Sequence, residues 1–75
     1  MSPQHKFYLE RAAAALADAK SATLVNARDR WLRSAATWTE MAARAERGEK
    51  MRAKLIAKKA AERAAARQEA ELKLA

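Results

Sequence analysis

The sequence predicts an all-α protein, a self-associating antiparallel helical hairpin whose second helix is long and basic. Three observations carry that expectation. Only one Gly and one Pro interrupt 75 residues, and Cys is absent. Apolar residues recur at helical spacing, above all Trp31, Ala35, Trp38, Ala42 and Ala45, which project from one side of a helix at 3.6 residues per turn. The capping types Ser21, Thr23 and Asn26 cluster at a single place, where a turn is expected.

The first helix is expected over about residues 3–20. Ser2 is suited to cap free amides, and Pro3 loses nothing at the first helical position, where its missing N–H has no intrahelical partner. Two apolar lines run along this helix, one of Leu9, Ala13 and Leu16, the other of Tyr8, Ala12, Ala15 and Ala19. Lys6 and Glu10 stand at the i,i+4 spacing of an exposed ion pair.

In SATLVN, β-branched Thr23 and Val25 weaken helix locally, and Thr23 is the expected N-cap of a second helix beginning at about residue 24. So short a connection brings the helices together antiparallel. The competing expectation is one uninterrupted helix, since neither Gly nor Pro enforces the turn. Leu24, Trp31, Trp38 and Ala45 keep a seven-residue step, a coiled-coil-like seam with small residues beside it, flanked by the pairs Asp29–Arg33 and Glu40–Arg44.

The pattern Asn26-x-Arg28-x-Arg30-x-Leu32-x-x-Ala35-x-x-Trp38-x-x-Met41-Ala42 resembles a group of short helical proteins of alphaproteobacteria. The likeness covers roughly the middle third of the chain. It implies a bacterial cytoplasmic helical hairpin and carries no activity with it. A tetratricopeptide unit is a looser analogue, because the Leu-Gly and Tyr of its first helix are missing and no second repeat follows.

Gly48 either stops the second helix or lies within it. The helix formers of Glu49-Lys50-Met51-Arg52 follow at once without a new cap, so continuation, with or without a bend, is expected. The chain then divides into a hairpin over 1–47 and a helical extension over 48–75 rich in Ala, Lys, Arg and Glu. A first helix of about 17 residues reaches to about Arg44 of the second, leaving everything beyond without an intramolecular partner.

Composition limits what such a hairpin can bury. Of the 51% apolar residues, 22 are alanines and 16 are larger. Chains this short rarely gather a self-sufficient core, and without Cys neither a disulfide nor a thiolate metal site makes up the deficit. A homodimer, or another helical partner, is the expected remedy. The Trp31/Trp38 strip (Trp31, Ala35, Trp38, Ala42, Ala45) is the expected packing face, and a protein partner using the same strip is the alternative.

Catalysis has little to work with. His5 is the sole histidine and is expected at the solvated surface beside Lys6, and no Ser or Thr has a base at a useful spacing. Glu46 and Glu49 are read as ion-pair partners of Lys50 and Arg52 rather than as a metal pair. No metal motif, phosphate-binding glycine loop, cofactor box or small-molecule site is present in the sequence, and a non-enzymatic role is expected. No apolar run approaches the length of a membrane span and no secretory h-region is found, which places the expected location in the cytoplasm.

Charge supplies the remaining clue. The net charge is +7, and nine cationic residues face three acidic ones between Arg44 and Arg67. Lys50, Lys54 and Lys58 repeat at i,i+4, as do Lys59, Arg63 and Arg67, although like charges at that spacing destabilise an isolated helix. These six are the candidate contacts to phosphates or to an acidic protein. The plainer alternative is a solvated helix. No aromatic is interleaved with the charges, so contacts to a nucleic acid are expected at its backbone, with weak sequence specificity.

Overall fold

A computed structural model describes all 75 residues: α1 spans Pro3–Ser21 and α2 spans Val25–Leu74, packed antiparallel. Helix α1 begins as the sequence requires. The Ser2 hydroxyl accepts from the His5 amide at 3.1 Å while Ser2 stays extended, and Pro3 occupies the first turn.

The link between the helices departs from expectation. Thr23 caps nothing; the N-cap position belongs to Leu24, which makes no side-chain capping bond. Ala22 and Leu24 are both extended, so the chain turns across them and Thr23 falls one residue outside the helix. Arg28, in the first turn of α2, ties the helix to the link. Its amide donates to the Leu24 carbonyl at 3.0 Å and its guanidinium to the Ala22 carbonyl at 3.4 Å.

From Val25 the second helix is continuous for 50 residues, with Gly48 inside it in ordinary helical geometry. A helix of that length measures about 75 Å, and the molecule is 77 Å long by 14 Å by 10 Å. Its radius of gyration is 22.0 Å, against about 11 Å for a compact chain of this size. A Cβ added at Gly48 would meet nothing within 4 Å. Gly48→Ala is therefore expected to stabilise the protein by up to about 1 kcal/mol through helix propensity alone. A thermal melt followed by circular dichroism measures it, and a lowered melting temperature would mean that the backbone there needs glycine.

The seam between the helices is made of methyl groups. Ala12, Ala15 and Ala19 of α1 and Ala35 and Ala42 of α2 are buried, and no larger apolar side chain joins them. Of the two apolar lines on α1, the one through Tyr8, Ala12, Ala15 and Ala19 is therefore the packing line, and Leu9 and Leu16 remain exposed. Small side chains permit close approach of the backbones, and that approach leaves no room for an indole. Trp38 is displaced to the edge of the seam, where it is half-buried. There Phe7 meets it edge-on with ring centroids 5.9 Å apart, Tyr8 lies against it at 5.9 Å, and the Arg11 guanidinium sits 5.3 Å from its centre. Trp31, expected to share the packing strip, remains 41% exposed.

Coverage of α2 extends farther than the length of α1 suggests, to Glu49 rather than to about Arg44. Helical side chains tilt toward the N-terminus of their own helix, so Glu49 reaches back one turn onto the start of α1. From Lys50 to Ala75 every residue is exposed.

Candidate functional site

Two arrangements stand out: a polar clamp where α1 begins, and the cationic extension beyond it. In the clamp, the Ser2 backbone amide donates to Glu49 Oε1 at 2.5 Å, and Glu49 Oε2 lies 3.8 Å from His5 Nδ1. His5 is 8% exposed, which corrects the expectation of a solvated histidine. Its place on the packing side of α1, beside the line of Ala12, Ala15 and Ala19, carries the ring into the seam. Nδ1 is buried without a hydrogen-bond partner.

Glu49 likewise does not pair with Lys50 or Arg52. Lys50 bonds Glu46 at 2.9 Å, while Arg52 has no carboxylate within ion-pair distance. The expected Glu40–Arg44 pair is present at 3.5 Å with Arg47 also on Glu40, whereas Lys6–Glu10 and Asp29–Arg33 do not close. All of these pairs lie at the surface, where solvent and salt screen them.

The clamp is sensitive to acid. Hydrogen bonds from Ser2, first its hydroxyl and then its backbone amide, hold the Glu49 carboxyl below the ordinary carboxylate value of 4.5. The hydrogen bond and charge of Lys50 do the same for Glu46. A depressed carboxylate stabilises the fold fully above its unfolded pKa and loses that contribution as pH falls through its folded pKa. The melting temperature of the hairpin should therefore drop as pH falls below about 4.5, and Glu49→Gln should remove part of that drop. An unchanged acid limb in Glu49→Gln would show that the clamp does not set it. Neither Ser2, His5 nor Glu49 carries a sequence signal for this contact, because 47 residues separate Ser2 from Glu49 and no spacing rule spans the turn.

No three His, Cys, Asp or Glu side chains come together in a way that could hold a metal ion, and no helix is long and apolar enough to cross a membrane. Of the five residues of the Trp strip, Ala35 and Ala42 are in the seam, Ala45 and Trp38 border it, and Trp31 is exposed.

The cationic candidates lie together on the extension. Lys50 is engaged by Glu46, but Arg52, Lys54, Lys58, Lys59, Arg63 and Arg67 make no ion pair with any carboxylate of the chain. Glu62 is the only acid among them. Around the helix they divide into two flanks. At 3.6 residues per turn Lys54 and Lys58 follow Lys50 on one side, and Arg52, Lys59, Arg63 and Arg67 fall on the opposite side. Between the flanks, Ala53, Ala57, Ala60 and Ala64 continue the side of α2 that faces α1 in the hairpin, and Ile56 lies between Arg63 and Arg67 at the edge of the second flank. The opposite strip holds Met51, Leu55 and Glu62.

The chain matches no family model, no curated protein and no solved structure. Its own residues are thus the basis for a functional reading.

Proposed function

We propose that this protein is a non-catalytic interaction module in which the hairpin fixes one end of a long helix and the free end presents cations to an acidic protein or a nucleic acid. The observation that carries the reading is the run from Arg52 to Arg67, with six unpaired cations on a helix that nothing in the chain covers. A helix built only to stay soluble gains nothing from like charges at i,i+4, which cost a few tenths of a kcal/mol per pair. A polyanion turns that repulsion into attraction.

Self-association belongs to the same proposal. An alanine seam removes little apolar area per residue, and Leu9, Leu16, Trp31 and Leu32 are left 40–47% exposed on the hairpin. A second copy covering such groups would supply the burial that one chain lacks. A role for the Trp31/Trp38 strip in holding a different protein is the weaker alternative, since Trp38 is already engaged by Phe7, Tyr8 and Arg11.

The test is retention of the purified protein on heparin and on immobilised polyglutamate over a salt gradient. Retention on either that is lost as salt rises is the expected result. Passage through both at low salt would overturn the proposal.

A further inference from the structure

We infer that the polyanion is duplex DNA, and that the extension lies in the major groove with the Ala53–Ala57–Ala60–Ala64 strip inward and its two cationic flanks on the phosphates of the two strands. The inference rests on the polyanion reading above and deepens it. An α-helix is about 10–12 Å across with its side chains, and the major groove of B-DNA is about 12 Å wide. A helix seated there without reading bases can carry small groups toward the base edges, and cations on both of its sides reach phosphates, because a phosphate backbone borders each side of the groove. The extension has both features. Lys54 and Lys58 occupy one flank, Arg52, Lys59, Arg63 and Arg67 the other, and the strip between them carries no acid from Ala53 to Ala64. Glu62 lies on the outward strip, where it meets solvent.

The same features weigh against other polyanions. A protein partner would require an apolar centre for its interface, and the strip offers alanines, with Ile56 at the edge of the second flank. Single-stranded nucleic acid is held by aromatic stacking platforms, and no aromatic residue follows Trp38. Duplex RNA presents a major groove too deep and narrow for protein groups to read. Electrostatic attachment to DNA needs no apolar burial, since the release of condensed counterions supplies its free energy. Nothing on the inward strip can pair with base edges, so the binding is sequence-tolerant, with methyl contacts to thymine as its sole base preference.

The experiment measures binding of the full chain to a labelled 20-base-pair DNA duplex over a range of salt. Parallel titrations use the RNA duplex, the single strand and polyglutamate. Six neutralised phosphates predict a log–log salt slope of about −5 on duplex DNA. Paired substitutions then report orientation. Ala60→Glu places a new charge on the inward strip and Leu55→Glu places the same charge on the outward one, and both residues are exposed in a part of the helix that the hairpin does not touch. Circular dichroism verifies that each variant keeps its helix.

Ala60→Glu is expected to weaken duplex binding about tenfold or more and Leu55→Glu about threefold or less. Equal losses, or a larger loss for Leu55→Glu, would overturn the groove orientation while leaving the basic helix as a polyanion ligand. Affinity for single strands, the RNA duplex or polyglutamate equal to or above that for duplex DNA would overturn the choice of DNA in favour of that partner. Absence of salt-sensitive binding to all four would remove the inference together with the reading beneath it.

Discussion

Trp38→Ala is expected to destabilise the hairpin by about 2–3 kcal/mol, the largest loss from any single exposed-edge position. The ring is half-buried, so the full cost of removing a core tryptophan does not apply. What is lost is the edge-on contact with Phe7, the packing against Tyr8 and the Arg11 guanidinium over the ring face. Aromatic pairs contribute about 0.5–1.5 kcal/mol each and an exposed cation–π contact about 0.5–1. In a hairpin whose apolar seam is alanine on alanine, that loss is a large share of the total. Trp31→Ala is the matched control, with an expected cost below about 1 kcal/mol for a side chain this exposed. Thermal and urea melts followed by circular dichroism compare the two. Equal losses at low protein concentration would contradict the placement of Trp31 outside the seam. Equal losses only at high concentration would show that a second copy covers it.

The second large effect concerns the extension. A chain ending at Lys50 retains both helices of the hairpin and the Ser2–Glu49 clamp, and loses all six unpaired cations. It should melt as the intact hairpin does and lose salt-dependent binding to heparin by at least two orders of magnitude, as expected when about six phosphate-type contacts vanish. The cut must fall beyond Glu49. A chain ending at Gly48 removes the clamp along with the extension and would lose stability as well as binding. Undiminished binding by the chain ending at Lys50 would move the anion site into the hairpin, where Arg28, Arg30 and Arg33 remain exposed. Amides beyond about Met51 should also exchange far faster than those of the seam, because no tertiary contact protects them.

The fold class, the two helices and the mismatch in their lengths are legible in the sequence because each depends on local chemistry. Ser2-Pro3 starts a helix wherever it lies, Gly48 is the sole breaker past the first residue of either helix, and a 3.6-residue period marks the sides of each. Persistence of helix through Gly48 follows from the residues after it. The cationic ladders are equally local, since i,i+4 spacing alone assigns them to flanks of one helix.

Tertiary packing decided the rest. Period and composition gave the two tryptophans and the alanines of α2 the same standing, and only the approach of the backbones determined that methyl groups fill the seam and Trp38 is left at its edge. The position of the turn depended on extended geometry at Ala22 and Leu24, which overrode the capping preference of Thr23. The contacts of Ser2 and His5 with Glu49 join residues at opposite ends of the hairpin's sequence. Their chemistry is ordinary at each position alone, and only antiparallel packing brings the carboxylate, the amide and the buried imidazole to one place.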